Sequence, residues 1–164
     1  MAAAPITTYT TYADVRAALG VSDDDLEDTT LGLELYANYL EVELEDVNIN
    51  LPGTYTTTAA IMTPTAAEGR FLKSCRLFAT FAVARQLTSA LPIFAAQQVS
   101  DGKASVQRFD TPYKDAIKSV NEQYDRLKNR LVQSLASIGT STSAATAMTY
   151  VSVVSPAVDP VTGV

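Results

Sequence analysis

Few side chains here are equipped for chemistry, and the most informative is one that is missing. The 164 residues contain no histidine and a single cysteine, Cys75. Imidazole is the commonest general base and metal ligand, so Ser-His and Cys-His nucleophile pairs are excluded and a zinc site is disfavoured. Carboxylates remain. Asp23, Asp24 and Asp25 are consecutive. A calcium loop needs alternating ligands, a central glycine and a distant glutamate, and this run lacks all three. Three acids suit a helix start, where the backbone dipole favours negative charge. Cations gather later, at Lys114, Lys118, Arg126, Lys128 and Arg130. They can touch phosphates. An acidic chain without a concentrated basic patch instead favours a solvated face or pairing with an acidic helix. No phosphate loop, dinucleotide fingerprint, paired-cysteine motif or nucleophile elbow is present. The expectation is no catalytic residue, no cofactor, no metal and no enzyme.

Charge is unevenly placed. Met1 to Gly69 carries twelve acidic residues and one basic residue, a net of −11. Arg70 to Ile138 carries eleven basic and five acidic residues, a net of +6. Asp159 completes the total of −6. Either the two parts attract each other within one molecule, or a subunit presents unlike surfaces to its neighbours. Eight tyrosines, Tyr9, Tyr12, Tyr36, Tyr39, Tyr55, Tyr113, Tyr124 and Tyr150, suit interfaces that are apolar at one end and wet at the other, or ordinary core and loop packing. Lys73, Arg76 and Arg85 interrupt the longest apolar helix candidate, so no membrane span is expected. The first residues lack the basic and apolar regions of a signal peptide. One cysteine forms no intrachain disulfide and fits a reducing compartment; on an apolar helix it reads as a small core residue.

The elements that must carry these residues are mostly helices. Thr11 is an N-cap and Gly20 a left-handed stop for a short first helix, with Arg16 pointing outward. Ser22 caps a long second helix that runs to about Asn48, with Leu26, Leu33, Tyr36, Leu40, Leu44 and Val47 on one apolar face. A polar loop is expected over Asn48 to Thr63, turning at Pro52-Gly53, with its Thr-rich run TYTTT read as plain loop over a short edge strand. Thr65-Ala-Ala-Glu68 fits a capping box for a third helix. Its LFATFAVA run makes it the buried central helix, ending near Leu91-Pro92. Gln98 to Phe109 reads as a hairpin around a tight Asp101-Gly102 turn. A lone hairpin is marginal in water, so it must lie on helices or meet another chain's strand. Thr111 and Pro112 open the last helix, whose stripe of Tyr113, Ile117, Val120, Tyr124, Leu127, Leu131, Leu135 and Ile138 ends at Gly139. That stripe favours packing within the domain over a coiled coil. The fold class is therefore mainly α: an antiparallel helical bundle over residues 1–139 with a small β-hairpin, followed by an extended arm, 140–164.

The arm, TSTSAATAMTYVSVVSPAVDPVTGV, holds one charge in 25 residues. Thr149 to Val154 has strand composition, and Pro156 and Pro160 bar a continuing helix. Disordered tails are normally charged and poor in valine. An arm that orders on a partner is the better physical account. Tyr150, Val151, Val153, Val154 and Val158 are its candidate contacts, and Asp101, Gly102 and Lys103 are those of the hairpin.

TYADVRAALGVSDDDLED, LGLELYANYLEVEL, the buried central helix and QVSDGKASVQRF before a final helix together resemble the head-to-tail connector adaptors of tailed bacteriophages, also called head-completion proteins. The likeness is one of order and pattern over about Tyr9 to Ile138. It implies a homo-oligomeric ring, dodecameric, made in the host cytoplasm and placed in the virion under the portal. Such a ring extends the DNA channel, without sequence-specific DNA binding and without membrane contact, and joins the portal protein to tail or nozzle proteins. In that family C-terminal segments reach into the portal. The alternative is a helical protein-interaction module with no virion role.

Overall fold

The computed structural model describes residues 3–88, 98–100, 105–107 and 112–153. The fold is mainly α. A 3-10 turn, Ile6–Thr8, leads into α1, Tyr12–Leu19. The Thr11 hydroxyl accepts the Asp14 N–H at 3.1 Å, and Gly20 closes the helix at φ 70°, a conformation that penalises any Cβ. Arg16 does not point freely outward. Its Nε donates to the Leu26 carbonyl at 2.7 Å, and its guanidinium pairs with Asp28, tying α1 to the segment that follows.

The long second helix is broken. Ser22 and Asp25 lock a single turn: the Ser22 hydroxyl donates to the Asp25 carboxylate at 2.7 Å. After it come a one-turn helix, α2 (Asp28–Leu31), and then α3 (Glu34–Val47). The break lies at Gly32 and Leu33. A Cβ on Gly32 would sit 3.2 Å from both the Asp28 carbonyl and the Tyr12 hydroxyl, so a larger residue would press both neighbours back by a few tenths of an ångström. Leu33 is extended and half exposed, whereas Leu31 is buried in its place.

The loop expected over Asn48 to Thr63 contains a helix instead, α4 (Leu51–Ala59). Pro52 falls in the first turn, where its missing N–H costs nothing. The threonines that argued for a loop turn back onto their own helix. Hydroxyls of Thr54, Thr56, Thr57 and Thr58 donate to carbonyls four residues earlier, at 2.7–3.0 Å. Leu51 and Thr58 are buried, and the Tyr55 ring lies 4.8 Å from that of Tyr9.

The central helix, α5 (Ala66–Leu87), opens with the capping box: Thr65 and Glu68 satisfy each other's backbone N–H groups. Phe71, Cys75, Phe78, Ala82 and Val83 are fully buried along it. A 2.6 Å hydroxyl pair, Thr10 with Thr80, and the ion pair of Arg76 with Asp14 fasten α1 and its leading turn to α5. The helix ends at Leu87; the expected end near Leu91-Pro92 lies outside the described residues.

Two three-residue strands, β1 (Gln98–Ser100) and β2 (Ser105–Gln107), pair antiparallel with Val99 opposite Val106. They are too short to form a layer of the fold. The innermost pair is Ser100 with Ser105, so four residues join the strands where a two-residue turn was expected.

The last helix, α6, runs Pro112–Val153. Phe78 meets Tyr124, while Phe81, three residues on, shares a groove with Ala116 to Gln123. Later residues of α5 thus meet earlier residues of α6, and the two are antiparallel. Val120, Tyr124, Leu127 and Leu131 are buried, with Leu135 and Ile138 packed at the edge of the core. The stripe is used within the molecule. Gly139 does not end the helix, and the arm is not extended over its first fourteen residues. An interior glycine costs only about 1 kcal/mol relative to alanine, and no proline intervenes before Pro156. Ala144, Ala145, Ala147 and Met148 favour helix, and strand propensity counts for little without a partner strand. Among the described residues no helix is long and apolar enough to cross a membrane.

Candidate functional site

The expected contact residues fall into two groups. Tyr150, Val151 and Val153 lie on the final turns of α6. Val154 and Val158, with Asp101, Gly102 and Lys103, lie outside the described residues. What the structure adds is how α6 is aimed. By the Phe78–Tyr124 register, the start of α5 at Ala66 is level with roughly residue 136 of α6, at about 1.5 Å per residue in both helices. The seventeen or so residues beyond it, about 25 Å of helix, outrun the helix that buries α6.

A polar clasp holds the middle of the packed part of α6, level with Phe78. Glu43 of α3 accepts a hydrogen bond from Tyr39 at 2.6 Å and another from Tyr124 of α6. The Arg85 guanidinium of α5 lies 4.4 Å from the centre of the Tyr124 ring, and the Lys128 ammonium lies 5.9 Å from it. One carboxylate, two phenols and two cations thus join three helices. Burial first, and then the Glu43 hydrogen bond, push Tyr39 up from 10.0 to about 12; the same two causes raise Tyr124. A folded value above the unfolded one means that the tyrosine's contribution is fully present below pH 10. It disappears as pH climbs towards 12. Urea midpoints measured from pH 8 upward should fall more steeply for the native chain than for Tyr39→Phe. Parallel slopes would show that the clasp is absent in solution.

The sequence did not single out Glu43 or Arg85 as site residues, because the Tyr124 that both meet lies on another helix, far along the chain. It did single out the α6 cations. Among the described residues none of Lys114, Lys118, Arg126, Lys128 and Arg130 forms an ion pair with acidic α3; Lys118 reaches Glu122 on its own helix at 3.9 Å. The Asp23–Asp25 run supplies the Ser22 turn, and the hydrogen bonds from Ser22 lower the Asp25 carboxyl below its ordinary value. Cys75 is buried, and burial pushes its thiol up to about 12.

A shallow groove of about 460 Å³ lies where α1 ends against α6, lined by Ala17, Ala18, Gly20, Phe81, Ser119 and Val120 among others. Small residues floor it, and it brings no cluster of acids or nucleophiles together. Among the described residues no three potential metal ligands converge. The arrangement is thus one of surfaces: a projecting helix, a clasp within the body and charged helix faces. Compared with protein-family models, with curated proteins and with solved structures, the chain matches none.

Proposed function

We propose that this chain is a structural adaptor, one subunit of a dodecameric ring that joins a bacteriophage portal to the tail and extends the DNA channel. The observation that carries the reading is the overrun of α6 past α5. A helix that runs on past α5 while carrying Tyr150, Val151 and Val153 offers a length that another protein can cover. The order of elements supports it as well: a short capped helix, a glycine link, an acidic helix, a buried central helix, a strand pair and a long final helix. In this reading residues 140–164 enter the portal, and Asp101, Gly102 and Lys103 belong to the surface met by tail or nozzle proteins. The acidic N-terminal part rims the channel, where negative charge keeps moving DNA from sticking.

Purified chain mixed with its candidate portal and imaged by electron cryo-microscopy tests this. A ring under the portal with density for residues 140–153 between portal subunits is the expected result. Deleting residues 140–164 should leave a folded body, because Val120, Tyr124, Leu127 and Leu131 of the α6 stripe are all retained, and should abolish capture. Folded full-length chain that the portal ignores would return the protein to a helical interaction module. A truncated chain that still docks would remove the role of α6.

A further inference from the structure

Helix α3 has two apolar faces. Ala37, Leu40 and Leu44 face the core. At 3.6 residues per turn, Leu35 and Val42 lie on the opposite side, seven residues apart, and are 61% and 57% exposed. One turn beyond Val42 stand Glu45 and Asp46, both exposed. Single exposed apolar residues are ordinary; two aligned on one stripe and bordered by one sign of charge are not scattered.

A counterpart stands on α5. Arg70, Lys73 and Leu77 are spaced i, i+3, i+7, so they share a stripe, and all three are exposed. Arg76, beside them, is already taken by Asp14. That bridge is the one ion pair, among the described residues, between the acidic part of the chain up to Gly69 and the cationic part after it. Opposite charge therefore remains unspent on two separate faces. Because α3 packs on α5 through its other side, the two stripes look away from each other and cannot meet within one molecule.

We propose that the outer stripe of α3 is the seat of a second copy of this chain, which docks the Arg70–Lys73–Leu77 stripe of its own α5 there. Laid antiparallel, Leu77 against Val42 sets Lys73, one turn away, against Glu45 and Asp46. A patch that binds a different patch on the next copy is heterologous, so it leaves both ends of any dimer open and closes only as a ring. The proposal rests on the connector reading for that closure. It is tested with no portal present, so its failure and a failure of portal capture are separate results.

Full-length Val42→Cys and Leu77→Cys variants, alone and mixed, would be treated with a short bis-maleimide. The buried Cys75 stays silent as background. The mixed pair should cross-link at least about tenfold faster than either variant with itself, and the Val42→Cys, Leu77→Cys double variant should give a ladder of oligomers. Adding Arg70→Glu and Lys73→Glu to the Leu77→Cys copy should cut the mixed rate about tenfold, in line with charge-pair coupling. Adding Glu45→Lys and Asp46→Lys to the other copy should restore it. Equal rates for mixed and like pairs, no cross-linking at all, or no recovery on exchanging the charges would each overturn the proposal.

Discussion

Alanine in place of Phe78 should destabilise the fold by about 3–5 kcal/mol, the usual cost of removing an aromatic side chain from a core. Phe78 is 0% exposed, and its ring centre lies 5.3 Å from that of Tyr124. The loss has two sources. Apolar area returns to water, and a void opens between two long, closely packed helices. Leu77 supplies the control: it precedes Phe78 on the same helix but is 42% exposed. Leu77→Ala should change stability by no more than about 0.5 kcal/mol. Urea unfolding of both variants decides the matter. Equal losses would mean that α5 turns a different face to α6.

The second large effect belongs to α6. Leu131 is 0% exposed and part of the apolar core, and Leu131→Asp forces a carboxylate into it. A cost above about 4 kcal/mol is expected, most of the stability of an ordinary domain. Val132 is 48% exposed, and Val132→Asp should be tolerated within about 1 kcal/mol. Circular dichroism with urea titration reads both. If Leu131→Asp were as mild as its neighbour, the α6 stripe would not be docked on its own core, and the coiled-coil alternative for that stripe would return.

The parts of this fold that were legible in sequence are those decided locally. Thr11, Gly20 and the Thr65–Glu68 box act within one turn of backbone, so residue type alone gives their positions. The α6 stripe was readable because it repeats eight times. What could not be read depended on neighbours. The acidic helix breaks at Gly32 and Leu33, where Tyr12, twenty residues earlier, lies close to Gly32. The threonines of α4 were taken for loop formers because threonine has weak helix propensity; burial of Leu51 and Thr58 overrides that preference. Gly139 was given a stop's role on residue type, when nothing beyond it supplied a competing structure before Pro156. The candidate surface follows the same division. Tyr150, Val151 and Val153 were visible as an uncharged run, but their helical setting was not. Leu35 and Val42 were passed over because the inward face of α3 satisfied the expected pattern first.

The burial of Cys75 inside α5 has a consequence for how the molecule responds to protons. Histidine is the side chain that ordinarily changes charge between pH 5 and 8, and the chain has none. The next group in order is a thiol, and burial moves the only one up to about 12. The side chains therefore hold a nearly fixed net charge across the neutral range. Ionic strength, which screens charge without changing it, remains the lever that weakens contacts between the acidic and cationic faces. If assembly with a partner proves to switch between pH 6 and 8, the titrating side chain will be found on the partner.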